Sequence, residues 1–272
     1  FTAAALAILI RRGSVALEDP VSLHIEEWPP QFSDVRVEHL VYMTSGLPEY
    51  YTLERPGGRD WSMDYFTVED AITAVLAEPA LEFSPGSHWA YSNTNYQVIA
   101  EIVARRSGQE FSDFVQREIF EPLGMVNSLV DDSLGRVIQG RATGYNESSS
   151  GYRQEIRRSP HYGGSGVFTT VQDLAVWIGS LESHKLGGPE LTRLQLRVRQ
   201  FDHAKVNDAF GLVWGEYRGH RIVWYEGGDL GFSSYMVWLP DEQLSLLVLS
   251  NLGTGQAATH GRAVLDILLG DD

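Results

Sequence analysis

A run of apolar residues near the start of the chain limits most strongly what this sequence can fold into. Ala3–Ile10 is eight residues long and contains no polar side chain. Cations and a glycine follow it, Arg11-Arg12-Gly13, as is typical of the end of a helix. A helix of this length is too short to cross a bilayer. Because it is apolar on every side, it must be surrounded by protein, and 272 residues suffice to build one large domain or two lobes around it.

The middle of the chain carries capping and periodicity signals for further helices. Thr67-Val68-Glu69-Asp70 resembles a capping box, and the helix that it opens should run to about Ala77, before Pro79. Apolar residues at helical spacing predict the other helices of this part, at about Val37–Met43, Thr94–Arg106, Ser112–Phe120 and from Thr170 onward.

The last quarter of the chain changes to the pattern of β-strands, which are predicted at Gly211–Glu216, Arg221–Tyr225, Tyr235–Leu239 and Leu244–Ser250. Because the connections between these strands are short, they should form an antiparallel meander. A final helix, about Ala257–Leu269, is expected to pack on the sheet through Ala258, Val264, Leu265 and Leu268. This order of elements predicts an α/β (α+β) lobe with an all-helical insertion.

The composition excludes several classes of function. Asp and Glu outnumber Lys and Arg by 36 to 21, which gives a formal net charge of −15. Neither a nucleic acid nor an anionic membrane surface is therefore an expected partner. The chain has no cysteine, so disulfides, thiolate zinc sites and thiol nucleophiles are excluded. The eight histidines are scattered without a pair at ligand spacing on one helix, and we expect no catalytic metal.

Three segments combine glycines with polar or aromatic residues where predicted elements begin or end. They are Met43–Leu47, Pro85–Tyr96 and Tyr225–Phe232. Glycine permits a positive φ and a close approach of the backbone to a ligand. Each segment alone is also consistent with an ordinary turn, so the interpretation depends on their combination.

Several short motifs, in their order along the chain, carry a resemblance to a known family. They are Phe1-Thr2-Ala3-Ala4-Ala5, Leu17-Glu18-Asp19-Pro20-Val21, His39-Leu40, Thr44-Ser45-Gly46-Leu47, Pro85-Gly86, Tyr91-Ser92-Asn93, Ile119-Phe120-Glu121-Pro122-Leu123-Gly124-Met125 and Gly228-Asp229-Leu230-Gly231-Phe232-Ser233-Ser234. Together they resemble the serine β-lactamase and penicillin-binding-protein superfamily, in its class C-like branch with D-aminopeptidases and family VIII esterases.

The resemblance implies a β-lactamase/transpeptidase-like fold, with an antiparallel sheet flanked by helices and an all-helical lobe. Residues 1–272 are then expected to form a single domain. Its α/β lobe would comprise about 1–45 and 170–272, and about 46–169 would form the mostly helical lobe.

Acyl transfer in this family uses three motifs, and the second, Y-x-N, matches Tyr91-Ser92-Asn93. The resemblance implies that Tyr91 is the general base and acid and that Asn93 holds the substrate amide. Tyr91 needs a lowered pKa for this role, which a neighbouring ammonium normally provides. Taken alone, Tyr91 is also consistent with an aromatic residue packed before a helix.

The third motif, Lys/His-x-Gly, is matched in part by Tyr225-Glu226-Gly227. The resemblance implies that the N–H of Gly228 binds the oxyanion of the reaction. Tyr225 is uncharged at neutral pH and can donate one hydrogen bond, whereas a lysine or histidine there would help to bind a carboxylate. This departure shifts the expected substrate toward neutral esters or amides.

The first motif, S-x-x-K, does not occur in the sequence. The only lysines are Lys185 and Lys205, which have Glu182 and Asp202 three positions before them. In the family pattern, the lysine would stand two positions before Phe1 and the serine five positions before it. We therefore expect both residues, and the N-terminal strands of the sheet, upstream of residue 1, and we expect the chain without them to be inactive.

The resemblance thus implies a serine hydrolase that forms a covalent acyl-enzyme on an ester, amide or β-lactam bond. Its partner would be a small-molecule or peptide-like substrate, and no metal or organic cofactor is required. An alternative stays open, namely a non-catalytic β-lactamase-like protein that binds peptidoglycan-type or other ligands. The resemblance is compatible with a periplasmic or secreted protein, and the sequence leaves the oligomeric state open.

Overall fold

The apolar run near the start of the chain forms helix α1, Thr2–Arg11, of which residues 2–9 are buried. The computed structural model describes residues 1–53, 64–199 and 208–270. Helix α1 packs against α4 (Asn93–Ser107), α5 (Phe111–Val115) and α8 (Gly188–Gln195), and they share one continuous apolar core. The expectation that α1 is enclosed by protein is thus confirmed. The physical reason is that burial of apolar surface is favourable, so a helix that is apolar on every side is most stable when every side is removed from water.

The other helices of the described residues follow the sequence signals within a few positions. They are α2 (Val37–Val41), α3 (Val68–Leu76), α6 (Glu121–Leu123), α7 (Val171–Ser183) and α9 (Gln256–Leu269). The capping box of α3 is present, since Thr67 Oγ1 accepts from the Asp70 amide at 3.1 Å and the Asp70 carboxylate accepts from the Thr67 amide at 2.8 Å. The helix predicted from Ser112 is instead α5, a π-helical stretch Gln116–Phe120 and α6.

The last quarter of the chain forms a four-stranded antiparallel meander, as its sequence predicts. The strands are β5 (Val213–Tyr217), β6 (His220–Asp229), β7 (Phe232–Leu239) and β8 (Leu244–Ser250), in the order β5-β6-β7-β8. Strand β6 extends four residues beyond the predicted end at Tyr225, because residues 225–229 continue to pair with β7. They extend past the last β5 pair, Val213 with Trp224.

Helices cover both faces of this sheet. Because successive side chains of a strand point to opposite faces, neighbouring residues of β7 pack against different helices. Tyr235, Val237 and Leu239 of β7 pack with α9, whereas Trp238 packs with Ile178 and other residues on the α7 side. The mixed α and β architecture agrees with the predicted fold class.

The predicted sheet-facing side of α9 is wrong in part. Ala258 and Leu265 are buried, but Val264 and Leu268 are 40% and 55% exposed. The helix meets the sheet through Gly261, where an added Cβ would lie 2.4 Å from Cδ1 of Tyr235. A residue without a side chain is therefore required there for helix and sheet to approach each other.

Two short strand pairs within the described residues were not predicted from the sequence. β1 (Leu129–Val130) pairs with β4 (Val167–Phe168), and β2 (Gly144–Ser148) forms a hairpin with β3 (Gly151–Glu155). The amide of Tyr145 donates to the carbonyls of Gly231 and Asn251, so the hairpin is held against the turns of the large sheet.

The division into lobes near residues 45 and 169 stays a prediction. Helix α1 shares one continuous apolar core with helices of both proposed lobes, so the core itself marks no boundary between them. No helix in the described ranges is both long and apolar enough to cross a membrane.

The two leucines at the end of α9 provide a test of the helix–sheet interface. Leu265 is fully buried and Leu268 is 55% exposed. We expect Leu265→Ala to lower the free energy of unfolding by about 2–5 kcal/mol, because it leaves a cavity, and the matched Leu268→Ala to change it by less than about 0.5 kcal/mol. Urea denaturation measures both, and equal losses would contradict the packing described here.

Candidate active site

Side-chain hydrogen bonds fix the start of α4, where the Y-x-N motif lies, onto the segment that follows Thr44. The hydroxyls of Ser92 and Thr94 donate to the Pro48 carbonyl at 3.2 and 2.7 Å, and the Tyr50 amide donates to Thr94 Oγ1 at 3.1 Å. Ser92 and Thr94 are buried. The position of the motif thus depends on contacts with residues more than 40 positions earlier in the chain.

The Thr44–Leu47 segment has a structural role in these contacts. Ser45 is 1% exposed, its hydroxyl donates to the Asn95 side chain, and it accepts from the Leu47 amide. Gly46 has a φ of +76°, and an added Cβ would lie 2.2 Å from the Phe83 carbonyl oxygen. Ser45 is therefore engaged and out of contact with solvent.

Asn93 is held by a carboxylate that the sequence did not indicate. Glu49 Oε2 accepts from the Asn93 backbone amide at 2.6 Å and from its side-chain Nδ2 at 3.1 Å. Asn93 Oδ1 accepts from the Tyr91 hydroxyl at 2.9 Å. Both ends of the Asn93 amide thus bond within the protein, so its expected contact with a substrate amide requires one of these bonds to be exchanged.

Tyr91 and Tyr225 face each other as neutral phenols. Tyr91 is 51% exposed. Burial and the nearby Glu49 carboxylate raise the pKa of Tyr91, while a hydrogen bond with Tyr225 acts in the opposite direction. Burial, Tyr91, Asp208 and Glu226 all raise the pKa of Tyr225. The pKa of Tyr91 is therefore shifted away from the direction that a general base needs.

Among the described residues, the one lysine, Lys185, does not supply the ammonium that would lower the pKa of Tyr91. Lys185 Nζ donates to the carbonyl of Leu123, on the α6–α7 side of the molecule. Lys205 lies outside the described residues.

Gly227 and Gly228 lie on the exposed end of β6, paired with Ser234 and Ser233 of β7. An added Cβ at Gly227 would lie 2.7 Å from Ser234 Oγ, whereas the nearest atom to one at Gly228 is 4.0 Å away. The Gly228 backbone is therefore open to a ligand.

All five residues predicted for the site line one cleft of about 1440 Å³. The first turn of α1, Phe1–Ala4, lines the same cleft. The structure thus brings together Tyr91, Asn93, Tyr225, Gly227 and Gly228, which are separated by up to 137 positions in the sequence. Their catalytic and binding roles stay predictions. No group of three or more His, Asp or Glu side chains in the described residues is arranged to hold a metal ion.

The half-buried Glu49 makes the stability of the protein depend on pH in a defined direction. Burial, the largest cause, raises the pKa of Glu49 above its ordinary value of 4.5. The folded state therefore binds a proton more tightly than the unfolded state, and ionisation of Glu49 destabilises the fold as the pH rises above 4.5.

Glu49→Gln removes this ionisation while keeping an acceptor for Asn93. We expect the variant to be more stable than the wild type at about pH 7, with the difference shrinking toward zero by about pH 4. Urea denaturation at several pH values measures this, and exposed Glu26→Gln is the matched control. A difference that grows toward acid pH would contradict the assignment.

The fold is similar to those of solved penicillin-binding proteins. The octameric penicillin-binding protein homologue of Pyrococcus abyssi superimposes with a TM-score of 0.83 at 23% identity, over 100% of this chain and 64% of that one. The penicillin-binding protein of Bacillus halodurans gives 0.84 at 22% identity, over 98% and 82%. The D-amino acid amidase of Ochrobactrum anthropi SV3, complexed with D-phenylalanine, gives 0.80 at 20% identity, over 98% and 81%.

Curated relatives include D-aminopeptidases. That of Gluconobacter oxydans is 26% identical over 215 residues, which is 78% of this chain and 41% of the relative. That of Brucella anthropi is 24% identical over 273 residues, or 99% and 51%. The chain thus spans about half the length of the curated relatives that it matches.

The β-lactamase family model matches residues 1–269, which is nearly the whole chain. The match includes every element that lines the cleft, from α1 to β8. Sequence and fold agree, and the chain belongs to the β-lactamase family.

Proposed function

We propose that the protein is a serine hydrolase that forms a covalent acyl-enzyme on an amide, ester or β-lactam bond. The observation that carries this proposal is the convergence of three elements on one cleft: the first turn of α1, the Tyr91-Asn93 pair and the Gly227-Gly228 end of β6. An α-helix repeats every 3.6 residues. A serine and a lysine three positions apart, on a helix that continues α1 upstream, would therefore share one face.

We propose that this S-x-x-K motif lies upstream of Phe1. Ser45 is buried and hydrogen-bonded, which argues against it as the nucleophile. In the described residues, burial and Glu49 raise the pKa of Tyr91, so its proposed role as proton acceptor requires a cation close to its hydroxyl. A lysine ammonium beside Tyr91 would lower that pKa and stabilise the phenolate, which is the form that accepts a proton.

In the proposed mechanism, the serine oxygen attacks the carbonyl carbon of the substrate while Tyr91, as the phenolate that the lysine stabilises, takes the serine proton. The N–H groups of Gly228 and of the serine stabilise the negative oxygen of the tetrahedral intermediate. Tyr91 then gives the proton to the leaving amine or alcohol as the carbonyl–leaving-group bond breaks. Water, activated in the same way, attacks the acyl-enzyme and releases a carboxylic acid.

The charges around Tyr225 support a substrate without a carboxylate at this end of the cleft. Tyr225 stays protonated, and the ionisable neighbours that raise its pKa include Asp208 and Glu226, both acidic. A substrate carboxylate there would be repelled, whereas a neutral or cationic group would not. D-amino-acid amides and esters fit these requirements, in line with the names of the D-aminopeptidase and D-amino acid amidase relatives.

A covalent probe tests the proposed nucleophile. We expect a fluorescent fluorophosphonate to label the parent protein with its upstream segment, and residues 1–272 alone to stay unlabelled. Sequencing of the parent gene should show S-x-x-K directly upstream of Phe1. Absence of both the motif and the label would refute the hydrolase and favour a protein that binds ligands without catalysis.

Tyr91 can be tested in unlabelled parent protein that contains the upstream segment. We expect Tyr91→Phe to lower kcat on a D-amino-acid p-nitroanilide by about 10²–10⁴-fold, because the phenol hydroxyl carries the transferred proton. Tyr152→Phe is the matched control, since Tyr152 lies on the β3 strand and is 71% exposed. A loss of less than about tenfold would remove Tyr91 from the proton transfer.

A further inference from the structure

We infer that His161 and Asp229 are positioning residues that connect two sides of the cleft. One side is helix α1, whose upstream continuation would carry the proposed nucleophile, and the other is strand β6, which carries the proposed oxyanion donor Gly228. The connection runs through residues 161–166, His-Tyr-Gly-Gly-Ser-Gly, which we call the glycine loop. The inference rests on the proposed function for its catalytic consequence, but its geometry stands on contacts in the described structure.

The glycine loop is fixed on one side to α1. Thr2 Oγ1 donates to the Gly163 carbonyl at 2.7 Å, and Thr2 is buried. Gly163 has a φ of +89°, and an added Cβ would lie 2.5 Å from the carbonyl oxygen of Tyr96 in α4. The loop backbone is therefore packed directly between α1 and α4.

The next residue of the loop touches the catalytic motif itself. An added Cβ at Gly164 would lie 2.9 Å from Asn93 Oδ1, the atom that accepts from the Tyr91 hydroxyl. The glycine loop thus contacts the first turn of α1 and the first turn of α4 within two residues.

On its other side, the loop contacts β6 through the His161 side chain. His161 Nε2 lies 3.3 Å from Asp229 Oδ2, and Asp229 directly follows Gly228. The His161 side chain is 6% exposed, and its ring stacks on Phe66 with an interplanar angle of 10°. A proton on Nε2 lets the imidazole donate to the carboxylate.

A buried ion pair holds the backbone of His161. Arg157 donates to the His161 carbonyl at 2.7 Å and to the Asp131 carboxylate at 2.8 Å, with both side chains at most 5% exposed. Charge-assisted hydrogen bonds of this kind define geometry closely. His161 is thus presented to Asp229 from a fixed support.

The end of β6 that carries Asp229 needs a support of this kind, because it extends beyond strand β5. Residues 225–229 pair with β7 on one side, but their other edge extends past the last β5 pair at Trp224. His161 contacts the strand at Asp229, one residue from the proposed oxyanion donor. Asp229, His161, Gly163 and Thr2 thus link that donor to the first turn of α1, while the Tyr145 amide holds the following turn at Gly231.

Two measurements on the same variants test this connection. Hydrogen exchange followed by mass spectrometry reports on residues 225–232 and requires no catalytic activity. Turnover of a D-amino-acid p-nitroanilide by the parent protein gives kcat and KM. The variants are His161→Ala, His161→Gln, which retains a donor near the Nε2 position, and Asp229→Ala. His260→Ala is the control, because His260 is exposed on α9.

In His161→Ala and Asp229→Ala, we expect exchange of residues 225–232 to rise by about tenfold, since a hydrogen bond to a charged group is lost. Exchange in β8 should stay unchanged. We expect kcat to fall by about 10²-fold, the effect of a displaced donor, with KM within about threefold of the wild type. His161→Gln should recover most of both effects, and His260→Ala should show neither.

Unchanged exchange at residues 225–232 in His161→Ala would overturn the connection, whatever the activity. A rise in exchange with an effect on KM alone, or failure of His161→Gln to recover kcat, would overturn the positioning role. If the wild-type parent protein neither labels nor turns over substrate while exchange responds as expected, the proposed hydrolase fails and the structural connection stands.

Discussion

The burial of helix α1 on every side is the constraint from which the arrangement of the cleft follows. An apolar helix without a polar face gains stability only if other elements cover its whole circumference. Helices α4, α5 and α8 do so. Because α4 packs along α1, the Tyr91 motif at the start of α4 lies beside the first turn of α1. The arrangement of the candidate site thus depends first on core packing, and the segment after Thr44 and the glycine loop complete it.

Much of the fold could be predicted because its signals are local. The apolar run of α1, the Thr67 capping box and the alternation in β7 each lie within a few neighbouring residues, and the structure contains each of these elements. The prediction of which side of α9 faces the sheet was partly wrong, because this helix is apolar over much of its surface. Its packing is decided by Gly261, which admits the Tyr235 ring, and a glycine carries no hydropathy signal.

The parts of the candidate site that could not be predicted depend on contacts distant in sequence. Glu49 lies 44 positions before Asn93, and His161 lies 68 positions before Asp229. Neither pair forms a motif, since a single carboxylate or histidine is common on any surface. Motif comparison could therefore propose Tyr91, Asn93 and the β6 glycines, whereas the residues that orient them became visible only with the fold.

Close packing of backbone at three glycines helps to set the walls of the cleft, and this separates residues that set geometry from residues that set specificity. At Gly46, Gly163 and Gly164, an added Cβ would collide with another segment of the same chain. Side chains at these positions would move the elements that carry the motif. Tyr225, by contrast, meets Tyr91 through its phenol, while its backbone pairs with Met236 as part of the sheet. Replacement of a Lys or His by Tyr at this position can therefore change the charge offered to a substrate while the frame around it stays the same.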